Sequence, residues 1–345
     1  MIRFDSDYTQ GAHPRILDAL VRTNMVQTCG YAEDEYSEEA RALIRKACEA
    51  ENADVHFLIG GTGTNTTVIA ASLRPYEGVL CAATGHINVH ESGAIESSGH
   101  KVIALPDVNG KLTAAAAEAF CAVYDADPTK EHMVRPGMIY VSQPTETGTV
   151  YSASELTALK EVCDRHGMYL FVDGARLGYA LAAEGNDVTL PFLAKTADVF
   201  YIGGTKVGAL FGEAVVIAND ALKTGFRYMI KQRGSLLAKG RLLGVQFREM
   251  FTDGLYEEMG RHAIEASRRL KAIFEGAGYP FACDSPTNQQ FPILPDEMLE
   301  KLSGDFAFSF WGKADETHSV ARFCTSWATT EEELDALETA LNAPV

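Results

Sequence analysis

Long apolar runs and an excess of positive charge are both missing from this sequence of 345 residues. No stretch reaches the roughly 18 consecutive apolar residues that a membrane-spanning helix requires. The first ten residues, MIRFDSDYTQ, contain no apolar segment of the kind found in secretory leaders. Thirty Lys and Arg stand against 47 Asp and Glu, and the net charge of −17 argues against a basic face for nucleic acid or anionic membranes. We therefore expect a cytoplasmic protein with no nucleic-acid or membrane partner.

Cysteine pairs and metal-ligand motifs are missing as well. The seven cysteines are odd in number, scattered and nowhere spaced C-x-x-C. This pattern is typical of reduced thiols rather than of disulfides or a zinc site. His86, His90 and Glu91 form H-x-x-x-H-E, which differs from the zinc motif H-E-x-x-H and has no evident third ligand. The sequence predicts no bound metal.

The order of apolar and amphipathic segments predicts an α/β protein with two domains. The length exceeds one ordinary globular unit, and 46% of the residues are hydrophobic. From about residue 37 to 217, continuous apolar strands alternate with helices, which is typical of a mostly parallel sheet covered on both faces. A long helical region is predicted over 221–276, followed by short strands and one late helix. We predict an N-terminal arm and large α/β domain over 1–250 and a small α+β domain over 251–345.

Three helix starts can be predicted from local sequence. A helix is expected from Thr66, after a glycine-rich turn. Ser152 and Glu155 have the spacing of a capping box, in which the first side chain bonds the third helical N–H and the glutamate bonds back. Thr329 and Glu332 have the same spacing and predict the start of the last helix.

Residues at three strand ends are candidates for ligand binding or catalysis, because ligands of open α/β sheets bind at the carboxyl ends of the strands. The turn 60–65, GGTGTN, could let backbone amides approach a phosphate, although such turns also serve packing. Asp173 ends an apolar strand, where it could bind a pyridinium N–H, cap the next helix or pair with Arg176. Lys206 is a single cation in an apolar context, where burial lowers the pKa of a lysine and favours the neutral amine that imine chemistry requires.

Taken in order, these segments resemble a known family. Gly-Thr-Gly, His86, Asp-Gly-Ala-Arg and Gly-Gly-Thr-Lys follow one another as in fold-type I pyridoxal-phosphate enzymes. Among these, the chain resembles the low-specificity L-threonine aldolases of the β-eliminating lyase group. The resemblance covers nearly the whole chain, in RFDSDYTQGAHPRIL, YAEDEYSEEA, TGHINVHESGA, VDGARLGYA and ARFCTSWATTEEELDAL. It implies the fold-type I architecture and pyridoxal 5′-phosphate as cofactor.

The resemblance also implies which residues bind the cofactor. Lys206 would hold it as a Schiff base, Asp173 would meet the pyridine nitrogen, and His86 would stack on the face of the ring. The residues that match the phosphate turn are Gly61, Thr62 and Gly63.

Further matches concern the substrate and the assembly. Ser6, Arg176 and Arg322 match residues gathered around the substrate carboxylate and the cofactor, a task that suits the planar fork of arginine. Tyr31 lies in a stretch that reaches the active-site rim in the family. Lys239 lies in a basic stretch that approaches the phosphate of a neighbouring subunit. Family members are typically homotetramers, dimers of dimers with active sites between subunits, and the resemblance implies the same here.

Two positions depart from the family pattern. Some relatives carry a second histidine in a Glu-Asn-Thr-His stretch, where this chain has Ser142–Gly148 without a histidine. A tyrosine four residues after the stacking histidine appears here as His90. The proton acceptor is therefore left open between His86, His90 and a water that they hold. Trp311 and Trp327 are interpreted as core residues of the small domain rather than as ligand contacts.

The resemblance implies aldol cleavage of L-threonine, L-allo-threonine and related β-hydroxy-α-amino acids to glycine and an aldehyde. A different fold-type I reaction, such as β-elimination, transamination or cleavage of phenylserine-type substrates, is the nearest alternative. A non-catalytic protein that binds the cofactor and a nucleotide-binding α/β enzyme that uses the glycine-rich turn are the alternatives from other classes.

Overall fold

A central sheet of seven strands dominates the computed structural model, which describes residues 1–343. The strands are β1 (Ile2–Arg3), β2 (Asp54–Leu58), β3 (Glu77–Ala82), β4 (Val102–Leu105), β5 (Arg135–Ser142), β6 (Tyr169–Asp173), β7 (Val199–Gly203), β8 (Glu213–Ile217), β9 (Gln289–Gln290), β10 (Ile293–Pro295), β11 (Phe306–Ala307), β12 (Ser309–Lys313) and β13 (His318–Cys324). The α-helices are α1 (Pro14–Thr23), α2 (Glu35–Ala47), α3 (Gly61–Ser72), α4 (His86–Val89), α5 (Ala94–Ser97), α6 (Ala114–Ala126), α7 (Ala153–His166), α8 (Leu177–Ala182), α9 (Leu190–Thr196), α10 (Phe226–Gln232), α11 (Arg241–Met250), α12 (Leu255–Gly276), α13 (Asp296–Leu302) and α14 (Glu331–Asn342). No helix within residues 1–343 is both long enough and apolar enough to cross a membrane.

The sheet has the order β2-β8-β7-β6-β5-β3-β4, and only β8 runs against its neighbours. The strands β3, β7 and β8 are buried along their whole length, as expected for a sheet covered on both faces. The predicted α/β class with a mostly parallel sheet is therefore confirmed. The carboxyl ends of β5, β6 and β7 meet at one edge of the sheet, and this edge carries the site.

Helix starts differ from the predictions at two of three places. α7 begins with the predicted capping box of Ser152 and Glu155. The last capping box lies one residue later than predicted, because Thr330 and Glu333 make the reciprocal bonds of α14. Thr329 instead accepts the backbone N–H of Ser326 and closes the preceding turn.

The helix expected from Thr66 begins earlier, at Gly61, so the glycine-rich turn is itself the first turn of α3. The helical region over 221–276 is also not continuous. Gly234 (φ 81°) follows the end of α10 and Gly254 (φ 72°) is the N-cap of α12, and these two left-handed glycines separate α10, α11 and α12.

The C-terminal part of the chain forms a second, smaller sheet in which β10-β13-β12 are neighbours and β9 also pairs with β13. Its core includes Leu270 of α12, Phe323 of β13 and Leu334 of α14. β1 pairs with β11, and Phe4 packs in this same core, so the first residues of the chain join the C-terminal part. The domain boundary at residue 250 stays a prediction.

Asp198 ties together the strands that carry the site. Its buried carboxylate accepts the Leu170 N–H of β6 at 2.7 Å and the Asn219 amide at 2.7 Å. The ammonium of Lys160 lies 3.1 Å from both of its oxygens. The backbone carbonyl of Asp198 also accepts the N–H of Ala218, which follows β8. One residue thus fixes β6, β7 and β8 relative to one another.

Asp198→Ala should lower the free energy of unfolding by roughly 3 kcal/mol, because it leaves the buried N–H of Leu170 without its acceptor and removes the buried partner of Lys160. Asp164→Ala is the matched control, since Asp164 also pairs with Lys160 but is 62% exposed, and should cost less than about 1 kcal/mol. Denaturant titration of both variants measures the difference. Equal losses would show that burial of the Asp198 carboxylate contributes nothing.

Candidate active site

A cavity of about 170 Å³ opens at the carboxyl ends of β5, β6 and β7, beside the start of α3. Most of its lining side chains are polar or charged. Its lining residues are Gly61, Thr62, His86, Ser142, Pro144, Glu146, Asp173, Ala175, Arg176, Tyr201 and Lys206. The structure therefore brings together most of the residues predicted to bind the cofactor.

Asp173 lies at the base of this cavity and is only 4% exposed. Its Oδ1 accepts the Tyr201 hydroxyl at 2.5 Å and the Ala175 N–H at 2.9 Å. Its Oδ2 accepts the Tyr140 hydroxyl at 2.5 Å and the Asn65 amide at 2.9 Å. Burial alone would raise the pKa of Asp173, but a nearby histidine and the two tyrosine hydroxyls lower it below its ordinary value. The site therefore holds an ionised carboxylate.

His86 is fixed by two carboxylates. Its Nδ1 lies 2.7 Å from the fully buried carboxylate of Glu91, and its backbone N–H donates to Glu146 at 3.0 Å. The amide of Asn65 donates to both Glu91 (2.7 Å) and Asp173 (2.9 Å). A continuous polar chain thus joins the histidine to the carboxylate at the cavity base. The ring is oriented by this chain, and its Nε2 is the nitrogen left for other partners.

Lys206 lies in the turn between β7 and β8 and is half-buried. Burial and the nearby guanidinium of Arg176 lower the pKa of Lys206, against the opposing effect of nearby carboxylates. Glu213 holds the turn by accepting the Thr205 hydroxyl at 2.7 Å and the Gly204 N–H at 3.0 Å. The lowered pKa favours the neutral amine, which is the nucleophilic form of a lysine.

The first turn of α3 faces the same cavity through Gly61 and Thr62. No side chain caps this helix, and its first turn contains no acidic residue. A Cβ added at Gly61 would come within 3.2 Å of the Tyr201 hydroxyl, so the position favours glycine. Uncapped N–H groups and the helix dipole favour an anion here. Gly63 lies in the same turn but does not line the cavity.

Arg176 is already paired within the chain. Its Nε and Nη2 donate to the two oxygens of Asp7 at 2.6 and 3.0 Å, and the amide of Asn288 donates to the same carboxylate at 2.9 Å. Burial opposes ionisation of both groups, yet the pairing raises the pKa of Arg176 and lowers that of Asp7. Arg176 thus lines the cavity as a guanidinium whose charge is compensated by Asp7.

Arg322 lies on β13, does not itself line this cavity, and has neutral hydrogen-bond partners. Its Nη2 donates to the Asp5 carbonyl at 3.1 Å and to the Ser309 hydroxyl at 3.3 Å, and Nη1 donates to the Gln289 amide oxygen at 3.4 Å. These contacts orient the guanidinium without neutralising its charge, which suits a carboxylate ligand. The predicted substrate residue Ser6 is buried and does not line the cavity; its neighbours Asp5 and Asp7 are the residues that contact Arg322 and Arg176.

His90 and Trp311 do not line the cavity but follow one another outward from His86. The rings of His86 and His90 are 5.5 Å apart, and His90 is 6.4 Å from Trp311. Partial burial, with help from His86 and Arg322, lowers the pKa of His90. Both tryptophans were predicted in the core of the small domain, and neither lies there. Trp311 is half-buried and lies outside the core of the small sheet. Trp327 packs against the core of the large sheet.

Tyr31 and Lys239 do not line this cavity. They lie close together on another surface, where the Tyr31 N–H donates to the Ala238 carbonyl at 3.1 Å. Both residues are exposed, and the ammonium of Lys231 lies 4.7 Å from the Tyr31 ring. Within one chain the structure does not bring these two predicted residues to the site.

Sequence reasoning missed several residues that hold the site together. Tyr140 and Tyr201 lie in buried apolar strands. Their hydroxyl groups were the signal that could have found them, because a buried tyrosine needs a hydrogen-bond partner. Glu146 lies in the stretch where relatives have a histidine, and burial raises its pKa. The partnership of Asp7 with Arg176 spans 169 residues and leaves no local signal.

The residues present fit pyridoxal phosphate. An uncapped helix start suits its phosphate, an ionised buried carboxylate suits its ring nitrogen, and a lysine of lowered pKa suits its aldehyde. The chain shares its fold with the Thermus thermophilus aspartate aminotransferase. The TM-score is 0.71 and the identity 16%, over 99% of this chain and 90% of that one. Fold and site define a fold-type I pyridoxal-phosphate enzyme.

Comparisons with known proteins narrow this class. The family model described as beta-eliminating lyase matches residues 4–290. The low-specificity L-threonine aldolase of Pseudomonas aeruginosa is 30% identical over 342 residues, which cover 97% of this chain and 95% of that protein. A solved threonine aldolase of Leishmania major superposes with a TM-score of 0.95 at 44% identity, covering 99% of this chain and 98% of that one. The chain belongs to the beta-eliminating lyase family, in the group of low-specificity L-threonine aldolases.

Asp173→Asn should lower kcat by roughly a hundredfold or more, because a neutral amide cannot stabilise a protonated ring nitrogen electrostatically. Tyr201→Phe is the control: it removes one hydrogen bond to the same carboxylate but keeps the charge, and should cost much less. Cofactor occupancy is checked for each variant by visible absorbance. A fully loaded Asp173→Asn protein with near-normal kcat would reduce Asp173 to a structural role.

Proposed function

We propose that this protein is a cytoplasmic pyridoxal-phosphate-dependent aldolase that cleaves L-threonine, L-allo-threonine and related β-hydroxy-α-amino acids to glycine and an aldehyde. The observation that carries the proposal is the similarity to threonine aldolases over nearly the whole chain. More distant proteins of this fold catalyse other reactions, so the fold alone supports only the class.

The residues of the site divide the work of this reaction. When bound, the cofactor supplies an electron-withdrawing ring that accepts the electron pair of the breaking Cα–Cβ bond. Lys206 would hold the cofactor, and the carboxylate of Asp173 would keep its ring nitrogen protonated. Arg322 would bind the substrate carboxylate, with Ser6 and Arg176 beside it. A fixed carboxylate would set the orientation of the bonds at Cα and so select the bond that breaks.

The proton of the β-hydroxyl group must leave as the bond breaks. His86 would serve mainly to stack on the bound cofactor, and Glu91 and the backbone bond to Glu146 fix its orientation for that role. A water held near His86 and His90 takes the proton. The lowered pKa of His90 keeps that imidazole neutral near physiological pH and thus able to accept a proton.

The assembly is a homotetramer, a dimer of dimers with active sites between subunits. Tyr31 and Lys239 support this arrangement, since they are exposed, adjacent and away from the cavity of their own chain. In the assembly they complete the site of a neighbouring subunit, Tyr31 at its rim and Lys239 near the cofactor phosphate.

Incubating the purified holoenzyme with L-threonine should release acetaldehyde and glycine in equal amounts. The Lys206→Ala variant serves as the blank. Aldol cleavage alone yields this pair, since β-elimination gives ammonia and a keto acid and transamination gives no aldehyde. A yellow but inactive protein would support a non-catalytic role, and a protein that binds no pyridoxal phosphate would favour a nucleotide-binding enzyme.

His86→Phe should bind cofactor normally and lose less than about a hundredfold in kcat, because phenylalanine can stack but cannot accept a proton. His86→Ala should instead weaken cofactor binding, since it has no ring face. Cofactor titration and steady-state kinetics of both variants separate stacking from proton transfer. A larger kcat loss in a fully loaded His86→Phe enzyme would make His86 itself the base.

A further inference from the structure

A second carboxyl group, that of Glu146, lines the cavity together with Asp173. Glu146 follows β5 and is half-buried. The backbone N–H of His86 donates to its Oε1 at 3.0 Å, and the Ser142 hydroxyl donates to the same oxygen at 2.6 Å. Both of its hydrogen bonds to other residues within 1–343 thus end on Oε1, which leaves Oε2 for a water or a ligand in the cavity.

The two carboxyl groups of the cavity differ in their affinity for a proton. Asp173 accepts four hydrogen bonds, and its pKa is lowered. Burial and the negative charge of Asp173 raise the pKa of Glu146, and the opposing effects of Ser142 and His86 are smaller. Asp173 therefore stays ionised, whereas Glu146 is the carboxylate better suited to accept a proton. Two carboxyl groups whose pKa values are shifted in opposite directions are typical of separate roles in acid–base chemistry.

The charges that face Glu146 come from several elements of the fold. Burial raises the pKa of Cys81, Tyr140 and Tyr151, so these three groups stay neutral near physiological pH. The charged or titratable groups that line the cavity with Glu146 are His86 of α4, Asp173 of β6, Arg176 and Lys206. Glu146 is thus the one carboxyl among the described cavity residues whose proton affinity is raised.

Aldol cleavage moves one proton twice. The O–H bond of the β-hydroxyl group breaks while its C–O bond becomes the carbonyl of the aldehyde, and the electron pair of Cα–Cβ stays with Cα. Cα must then gain a proton before glycine can leave. A group that holds the proton between these two events serves first as base and then as acid, and a carboxyl group of raised pKa suits both tasks.

We infer that Glu146 holds this proton during the reaction. As Cα–Cβ breaks, the water near His86 takes the hydroxyl proton and gives one of its own to Oε2, so that Glu146 becomes a carboxylic acid. Once the aldehyde has left, the acid gives its proton back for transfer to Cα and is a carboxylate again. The net reaction consumes no proton. The inference rests on the proposed aldolase function and goes beyond it by naming the residue that stores the proton.

Glu146→Gln should bind the cofactor normally and lose roughly 10²–10⁴-fold in kcat for L-threonine. Glutamine keeps an oxygen that can accept the His86 N–H and the Ser142 hydroxyl, so the change removes the capacity to take up a proton and little else. Thr147→Val is the matched control, because Thr147 is the next residue but does not line the cavity and donates to the Asn109 carbonyl at 3.1 Å. Its kcat should be unchanged. A cofactor-loaded Glu146→Gln enzyme with a smaller loss than this range would overturn the inference.

The pH dependence of kcat gives a second test that keeps the carboxyl group. The carboxylic acid cannot accept a proton, so kcat should fall as the pH decreases through the pKa of Glu146. Ser142→Ala removes a hydrogen bond that lowers this pKa, and the acidic limb of the profile should therefore move to higher pH. An acidic limb at the wild-type position in Ser142→Ala would assign the proton to another group.

Infrared spectroscopy detects the proton on Glu146 without turnover. The wild-type holoenzyme minus the Glu146→Gln holoenzyme should show the C=O band of a carboxylic acid at pH values where an ordinary glutamate is ionised. Glu213, whose pKa burial raises to about 7, contributes to both proteins and cancels. A difference spectrum without this band would contradict the inference. Wild-type enzyme that releases no aldehyde from threonine would refute the aldolase function, whereas cleavage by both proteins at similar rates would refute only the role of Glu146.

Discussion

A buried ionised carboxylate at the end of β6 is the constraint on which the active site depends. Removing Asp173 from water costs several kcal/mol unless donors replace the lost hydration. Two tyrosines, an asparagine amide and a backbone N–H provide them, and they come from β5, β7, α3 and the turn after β6. Hydrogen-bond donors from the neighbouring elements thus surround one negative charge. That charge suits the protonated nitrogen of the cofactor. The Asn65 amide also donates a hydrogen bond to Glu91, which in turn contacts His86.

The cationic residues in and near the cavity differ in how their charge is compensated. Arg176 and Lys206 lie close together in the cavity, and their mutual repulsion contributes to the lowered pKa of the lysine. Asp7 accepts two hydrogen bonds from Arg176, so the positive charge of Arg176 is compensated within the chain. Arg322 keeps its charge uncompensated and its geometry fixed by neutral groups and by the Trp311 ring. Arg176 is thus charge-paired within the chain, whereas the hydrogen-bond partners of Arg322 are neutral.

Much of this could be predicted from the sequence, because strand ends carry their chemistry locally. The apolar runs before Asp173 and Lys206 predicted buried strands, and the parallel sheet then brought both residues to one edge. What was missed depends on contacts between distant residues or on register. Thr329 and Thr330 are both followed by glutamate three residues on, so spacing alone could not choose the cap. Trp311 was interpreted as core because a bulge inserts a residue without any signal in the alternation of DFAFSFW.

Borohydride reduction of the purified holoenzyme, followed by peptide mass spectrometry, tests most directly that Lys206 is the residue through which this site acts. Reduction turns the bond between cofactor and lysine into a stable amine that survives digestion. If Lys206 holds the cofactor, the added mass will lie on the peptide containing Lys206, and Lys206→Ala protein will carry none. Cofactor attached to another lysine, or no attachment in protein that retains pyridoxal phosphate, would contradict it.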